Sequence, residues 1–278
     1  MVQVNDVTFG YSKNFKLFSG VNLDLKPGNI YGLLGKNGTG KTTLLKLMTG
    51  LLMPHQGQCK LFGNAAEKRI PSILADFFII PEEFLLPTVK MYDYAHINAP
   101  FYPKFSYSEF TSYLKDFEME ENKNLNTLSF GQKKKFLLAF GLATNVSILF
   151  LDEPTNGLDI PSKSQFRKTV ARALTEDKSI VISTHQARDL ESLIDTIIIL
   201  ESGKIILNSS CSDITQKLAF NKVKNLEDVT DLLYKEDALG GYKIVAKSEG
   251  KEESELDLEL FFNAVVSNVE RVTAIFKN

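Results

Sequence analysis

An α/β fold built on a mostly parallel β-sheet is predicted by two features of the sequence. Short, almost uninterrupted apolar runs alternate with helical patterns over the first 210 residues, and strands buried on both faces have this composition. A glycine-rich segment also joins one such strand directly to a helix. With 278 residues, 44% of them hydrophobic and 24% charged, the chain is long enough for one large domain with a small appendage, or for two modest domains.

The N-terminal residues predict an antiparallel β subdomain beside this core. Residues 2–5 and 21–25 alternate apolar and polar side chains, which is typical of strands with one solvated face. Residues 30–34 are almost wholly apolar and predict a buried strand. Apolar residues at helical spacing follow the glycine-rich segment as far as Leu51 and predict a helix.

The rest of the chain is interpreted from the same periodicities. Residues 87–128 are predicted to form a helical insertion, with its aromatic side chains in its own core. A boundary near Ser210 separates a domain of residues 1–210 from a small C-terminal accessory region of residues 211–278. The further predicted strands are residues 58–62, 77–80, 147–151, 179–183, 197–200, 205–207 and 242–246. The further predicted helices are residues 131–144, 166–174 and 256–266.

The glycine-rich segment, residues 35–43, fits the pattern G-x-x-x-x-G-K-[ST] and predicts a phosphate cradle. Its glycines let successive backbone N–H groups point at one anion, and the following helix adds its positive end. Lys41 would bring a cation to the outer phosphates, and the Thr42 hydroxyl would ligate Mg²⁺. The alternative is a glycine-rich turn that binds nothing. The predicted nucleotide-contacting residues are Gly35, Asn37, Gly38, Gly40, Lys41, Thr42 and Thr43.

Two carboxylates, Asp152 and Glu153, follow the predicted strand of residues 147–151. Ligands gather at the carboxyl ends of parallel strands. Asp152 is therefore predicted to hold Mg²⁺ through water, opposite Thr42, and Glu153 to orient or deprotonate an attacking water. The alternative is a pair of acidic turn residues with no chemical role.

Together these motifs resemble the ATP-binding cassette (ABC) ATPase family over roughly residues 2–208. Residues 128–132, Leu-Ser-Phe-Gly-Gln, are similar to the family signature LSGGQ, and residues 156–159 resemble its D-loop. His185 matches the switch histidine, and Tyr11 matches the aromatic residue that stacks on adenine. The resemblance implies a RecA-like P-loop NTPase fold that binds ATP with Mg²⁺ and hydrolyses it.

The resemblance also implies a second ATPase subunit, with two cassettes packed head to tail around two ATP molecules. Ser129, Gly131 and Gln132 would then contact the partner's nucleotide, and Asp159 would reach across the interface. His185 would contact the γ-phosphate and hold Glu153 and the water in place. Loss of the bridging γ-phosphate would open the dimer. The sequence leaves open whether this dimer pairs identical or different chains.

Two positions depart from the family pattern, and one lysine run needs an interpretation. Glu82 stands where a glutamine is usual, and its carboxylate could reach Mg²⁺ or the attacking water. Phe130 replaces the first signature glycine and places an apolar side chain near the expected dimer seam. The lysines at 133–135 are predicted to lie on a solvated helix face or to attract nucleotide at long range, rather than to bind nucleic acid.

Composition and charge restrict the partners. The net charge is −2, which gives no reason to expect nucleic acid. No apolar run approaches the roughly 20 residues that span a bilayer, and the N-terminus does not resemble a secretory signal. We therefore expect a cytoplasmic chain that acts at the inner face of the membrane through a separate transmembrane permease subunit.

One cassette, balanced charge and a short insertion favour the ATP-hydrolysing subunit of a membrane transporter. The loop of residues 81–83, the signature variant and residues 101–105 resemble exporter-type subunits that serve antibiotic-efflux permeases in bacteria. The alternative is a cytosolic single-cassette ATPase of the assembly-factor type that moves no solute. The C-terminal region is expected to cover the sheet edge, with a regulatory or dimer-stabilising module as the alternative.

Overall fold

The computed structural model describes residues 1–12, 15–119, 122–227, 229–248 and 254–276. The strands, numbered along the chain, are β1 (Val2–Phe9), β2 (Phe18–Leu25), β3 (Ile30–Leu34), β4 (Gln56–Leu61), β5 (Asn64–Ala65), β6 (Phe77–Ile80), β7 (Ile148–Asp152), β8 (Ser179–Thr184), β9 (Thr196–Glu201), β10 (Lys204–Ser210), β11 (Leu218–Val223), β12 (Leu232–Ala238) and β13 (Gly241–Lys247). The helices are α1 (Lys41–Met48), α2 (Pro71–Leu74), α3 (Met91–Asn98), α4 (Tyr107–Asp116), α5 (Phe130–Ala143), α6 (Ile160–Ala173), α7 (Cys211–Lys217), α8 (Leu258–Ser267) and α9 (Val269–Thr273).

A six-stranded sheet in the order β10-β9-β3-β8-β7-β6 forms the centre of the molecule. All of its strands except β10 run parallel to one another. Strand β10 pairs antiparallel with β9 after a tight turn. Strands β3, β7 and β8 are buried along their whole length, because apolar layers cover both faces of the sheet. The predicted α/β fold with a mostly parallel sheet is confirmed.

The predicted antiparallel subdomain is the four-stranded sheet β2-β1-β4-β5. Its apolar side chains share one hydrophobic cluster with α1 and with one face of the central sheet. In β2, buried and exposed residues alternate over most of the strand, so the period-two pattern correctly indicates a half-buried strand. This sheet packs beside the beginning of α1, next to the predicted phosphate cradle.

The helical insertion contains α3 and α4 and leads into α5. Its aromatic side chains form a core, as the sequence predicts. Phe110 is fully buried, and its ring centroid lies 5.8 Å from that of Tyr92 and 6.0 Å from that of Phe136. These rings fix the insertion against α5, the helix that begins at the signature motif.

The C-terminal region forms a three-stranded antiparallel sheet, β11-β13-β12, with helices α8 and α9. Its apolar residues belong to the same hydrophobic cluster as one face of the central sheet. The Leu258 N–H also donates to the Glu191 carboxylate at 2.7 Å. Strand β10 ends at Ser210 and α7 begins at Cys211, but a domain boundary at this point remains a prediction.

Some elements differ from the sequence-based prediction. Helix α6 begins at Ile160, six residues before the predicted start, because Asp159 caps it and Pro161 occupies its first turn. The prediction also omits β11 and β12, whose residues mix polar and apolar character and are stabilised by pairing with β13. Within the described parts of the chain, no helix combines the length and the apolar character that crossing a membrane requires.

Truncation of the insertion core should destabilise the fold. Phe110→Ala removes a fully buried ring, and we expect a loss of about 3–5 kcal/mol in the free energy of unfolding. Urea denaturation followed by circular dichroism measures it. Leu85→Ala is the control, because Leu85 is 98% exposed and should change stability by less than about 0.5 kcal/mol. Equal stability of the two variants would contradict this account of the core.

Candidate functional site

The phosphate cradle is the loop between β3 and α1. Gly38 and Gly40 both adopt positive φ, 81° and 105°, which L side chains rarely tolerate. A Cβ atom at Gly40 would also lie 2.7 Å from the Phe18 ring. Only glycine at position 40 therefore lets the loop turn tightly. In this turn the backbone N–H groups at the start of α1 can point at an anion.

Lys41 folds back over this loop. Its ammonium donates to the Gly35 carbonyl at 2.8 Å and to the Lys36 carbonyl at 3.3 Å. It also lies 3.4 Å from the Glu153 carboxylate. Because both charged side chains are almost fully buried, the pair compensates what would otherwise be two isolated charges. The cradle thus meets the carboxyl end of β7 through this contact.

A cavity of about 420 Å³ opens over the cradle. Most of the predicted nucleotide-contacting residues of the loop line it, and so do Glu82 and Glu153. The lining residues are Tyr11, Phe15, Leu17, Asn37, Gly38, Gly40, Lys41, Thr42, Thr43, Glu82 and Glu153. The sequence prediction missed Phe15 and Leu17, because they lie in the connection between β1 and β2 rather than in a phosphate motif.

Asp152 lies beside the first turn of α1. The Thr42 hydroxyl donates to Asp152 Oδ2 at 2.7 Å, and the Ser183 hydroxyl donates to Asp152 Oδ1 at 2.5 Å. The carboxylate is only 2% exposed. Thr42 and Asp152, predicted to share a metal ion, are therefore adjacent. Ser183 escaped the sequence analysis, although it ends a predicted strand next to the switch histidine.

Glu153 adopts a positive φ of 45°, an uncommon conformation for a residue with a side chain. Its N–H donates to the carbonyl and the hydroxyl oxygens of Ser183 at 3.1 and 3.2 Å. Its Oε1 lies 2.9 Å from His185 Nδ1. The other carboxylate oxygen, Oε2, is buried and has no hydrogen-bond partner among the described residues. A buried acceptor in this state is available to a ligand or a water.

Glu82 reaches the cavity from the loop after β6. Its carboxylate accepts a hydrogen bond from the Asn156 amide at 2.9 Å, and the Gln186 amide lies 3.4 Å from the Asn156 side-chain oxygen. The loop after β6, the turn after β7 and the loop after β8 are thus connected by polar side chains. Asn156 and Gln186 were not predicted as individual site residues.

Tyr11 stands at the open side of the cavity and is 64% exposed. Its hydroxyl lies 2.9 Å from the Thr43 hydroxyl, and its ring meets the Phe9 ring edge-on with centroids 5.2 Å apart. An exposed ring at this position is available for stacking on a base.

The signature residues lie elsewhere. Ser129 and Gln132 form a reciprocal capping box at the start of α5, with bonds of 3.2 and 3.0 Å. Both side chains are exposed, and neither lines the cavity of its own chain. Gly131 packs so closely on the turn after β7 that a Cβ atom would lie 3.0 Å from the Gly157 carbonyl.

Asp159 caps α6 by accepting the Ser162 N–H at 2.9 Å. Its hydrogen bonds from Ser162 lower the pKa of its carboxyl, so the side chain is an anion at neutral pH. Asp159 is exposed and borders the exposed Ile160. Like the signature residues, it is outside the lining of the cavity.

The interpretation of the lysine run as a solvated face is wrong for Lys134. This side chain is fully buried, and its ammonium donates to the Glu153 carbonyl at 2.7 Å and to the Asn156 carbonyl at 3.0 Å. Burial lowers the pKa of Lys134, and the nearby carboxylates of Glu82, Glu153 and Asp152 oppose that shift. Its spacing of four residues from the buried Leu138 on α5 was the available signal.

Fold and site together define a P-loop nucleotide-binding ATPase. The profile of the ABC transporter family matches residues 18–156. The energy-coupling factor transporter ATP-binding protein EcfA of Methanococcus maripaludis is 31% identical over 265 residues, which cover 88% of this chain and 94% of that protein. The chain belongs to the ABC transporter family and carries its ATP-hydrolysing cassette.

Other similarities agree with this membership. The linearmycin resistance ATP-binding protein LnrL of Bacillus subtilis is 27% identical over 237 residues, or 81% of this chain and 74% of that protein. The chain spans only 25% of ABC transporter A family member 8 of Dictyostelium discoideum, at 28% identity. A solved ATP-binding subunit of an ABC transporter shares the fold, with a TM-score of 0.70, 23% identity and coverage of 77% of this chain and 91% of that one.

Removal of the buried cation should weaken nucleotide binding. Lys41→Ala deletes the ammonium that faces the cavity, and we expect the Kd for ATP to rise about 10- to 100-fold, as for a lost charge-assisted hydrogen bond. Fluorescent-ATP titration measures it. Lys46→Ala, at the far end of α1, should bind as the unchanged chain does. Equal Kd values for both variants would contradict the cradle.

Neutralising the candidate base should separate binding from turnover. Glu153→Gln keeps the size of the side chain and removes its basicity, so we expect ATP binding to persist while turnover falls roughly 10²–10⁴-fold. Phosphate release under saturating MgATP measures turnover, and the same titration as for Lys41 measures binding. Turnover close to that of the unchanged chain would reject Glu153 as the base.

Proposed function

We propose that this chain is the ATP-hydrolysing subunit of a membrane transporter, working as one half of an ATP-bridged cassette dimer. One observation carries the proposal: the signature cap of α5 is exposed and does not line the chain's own nucleotide cavity. A helix N-terminus with free N–H groups attracts phosphate, so a second cassette can supply the phosphate that this cap binds. Ser129, Gly131 and Gln132 are the residues proposed to contact it.

Mg²⁺ fits the site that Thr42 and Asp152 form. The two oxygens lie 2.7 Å apart, and Mg²⁺ prefers one or two protein oxygens together with phosphate oxygens and waters. When bound, the ion would neutralise charge that develops on the phosphates. Glu82 lines the same cavity and is proposed to reach the ion or the attacking water.

Glu153 is proposed as the general base, with His185 as its partner. Oε2 of Glu153 is buried without a hydrogen-bond partner in the described structure, and it can accept a proton from a water held at the cavity edge. The bond to His185 Nδ1 fixes the other carboxylate oxygen. His185 Nε2, which lies 3.4 Å from the Gln186 amide nitrogen, is proposed to contact the γ-phosphate. Loss of the γ-phosphate would remove the bridge between the two cassettes.

Two further contacts complete the proposed nucleotide site. Tyr11 would stack on the adenine, because its ring stands exposed at the mouth of the cavity. Asp159 would cross to the partner, because it lies outside the lining of its own chain's cavity and next to the exposed Ile160.

The transport role rests on the relatives. EcfA and LnrL are named for a transporter and for antibiotic resistance, and both are similar to this chain over more than four fifths of its length. We propose a separate transmembrane permease as partner, export as the direction, and a position at the cytoplasmic face of the membrane through that permease. The similarity to EcfA instead favours a permease of the energy-coupling factor class over an exporter permease.

Two measurements test this function. The tagged chain is purified from detergent-solubilised membranes, and a multi-span permease should copurify; a soluble scaffold protein instead would support the assembly-factor alternative. Light scattering then follows the Glu153→Gln chain, which should form dimers with ATP. Adding Ser129→Arg should abolish these dimers, and adding Ser72→Arg, on exposed α2, should not. If the dimers form equally well with Ser129→Arg and with Ser72→Arg, the signature is not at the dimer interface.

A further inference from the structure

We propose that Lys134 is a positioning residue that fastens the signature helix α5 to the turn bearing Glu153 and balances the charge of Glu82. The proposal rests on the function proposed above, because it concerns the same reaction. Residues 153–156 are called the catalytic turn here. Lys134 does not line the nucleotide cavity, so its influence on the reaction would pass through this turn.

The first support is the way the catalytic turn is held. The Glu153 carbonyl accepts the Asn156 N–H at 3.2 Å and the Lys134 ammonium at 2.7 Å. The same ammonium donates to the Asn156 carbonyl at 3.0 Å, at the other end of the turn. Since Ser183 holds the Glu153 N–H, both backbone polar groups of Glu153 are fixed. Its positive φ is therefore maintained from two sides, and this sets the direction of its carboxylate.

The second support is charge. A fully buried ammonium requires opposite charge nearby. Burial lowers the pKa of Lys134, and the nearby carboxylates, Glu82 first among them, oppose that shift. Glu82 is linked to the same turn through the Asn156 amide at 2.9 Å. The carboxylate that departs from the family pattern therefore has a compensating cation in its own chain. That cation limits the repulsion that Glu82 would exert on a bound triphosphate.

The third support is the other departure, Phe130. Its ring centroid lies 5.3 Å from the Lys134 ammonium, within the range of a cation–π contact. The ring also stacks on Phe84, with centroids 5.4 Å apart and planes 16° from parallel. Phe84 lies two residues after Glu82, in the loop after β6. The signature and the catalytic turn therefore contact Lys134 directly, and the loop after β6 contacts it through the Phe130 ring.

This arrangement provides a route from the signature to the catalytic base. Ser129 caps α5, and Lys134 lies five residues later on the same helix. A shift of the helix when its N-terminus takes up the partner's phosphate would move the ammonium, and with it the two carbonyls of the catalytic turn. The position of the Glu153 carboxylate would then depend on whether a second nucleotide is bound. The coupling would act on the rate of hydrolysis rather than on the binding of the chain's own ATP.

Lys134→Met tests the proposal, because it removes the charge and both hydrogen bonds at similar length. We expect kcat for ATP to fall about 10- to 100-fold, since the base is misplaced, while the Kd for MgATP stays within about twofold. Lys133→Met is the matched control on the same helix, and its kcat should equal that of the unchanged chain. An unchanged kcat in Lys134→Met, or an equal loss in affinity and kcat, would overturn the proposal.

A double-mutant cycle tests the charge balance and also decides the matter if Lys134→Met does not fold. Lys134→Gln, Glu82→Gln and the double variant are compared. Glu82→Gln alone and Lys134→Gln alone should each lower kcat, and the double variant should lose less than the product of the two single losses, with non-additivity of about fivefold or more. Additive effects would overturn the proposed pairing of Glu82 with Lys134.

The two proposals fail in different ways. If the unchanged chain hydrolyses ATP and forms ATP-dependent dimers, but Lys134→Met has the same kcat, the proposed function stands and the role of Lys134 is refuted. If the unchanged chain neither hydrolyses ATP nor dimerises with it, the proposed function is refuted.

Discussion

The contact between Lys41 and Glu153 is the constraint on which the site depends. Their charged atoms lie 3.4 Å apart, and both side chains are at least 93% buried. A buried charge is tolerated only with a partner, so the phosphate loop and the end of β7 must be held at this separation. Strand β8 lies between β3 and β7 in the sheet, and it accordingly supplies Ser183 and leads to His185. The parallel sheet thereby brings three separate segments to one edge.

A second consequence concerns the backbone of the catalytic turn. Glu153 holds an uncommon conformation at the place where the chain leaves β7, and such positions persist only when surrounding groups determine them. Ser183 from β8 and Lys134 from α5 provide that determination. The helix that carries the exposed signature therefore also supports the interior of the site. Binding on one surface and chemistry at the cavity share a structural element.

The fold was largely predictable because its signals are local. Buried parallel strands appear as apolar runs, and the boundaries of β6, β7 and β8 follow those runs within a residue or two. The cradle was predictable for the same reason, since its glycines, Lys41 and Thr42 occupy fixed positions along nine residues. The start of α6 and strands β11 and β12 were less accessible, because a cap in one case and pairing with β13 in the other decide them.

What the sequence determined by itself was the set of groups available for phosphate chemistry, since spacing along the chain places the cradle, the carboxylates and the signature on known elements. Tertiary structure alone decided which of those groups meet. Lys134 resembles two neighbouring lysines in sequence, yet packing buries it under the catalytic turn. Phe15 and Leu17 reach the cavity only because the antiparallel sheet folds beside α1. These meetings depend on contacts between segments distant in the chain, which spacing along the chain does not specify.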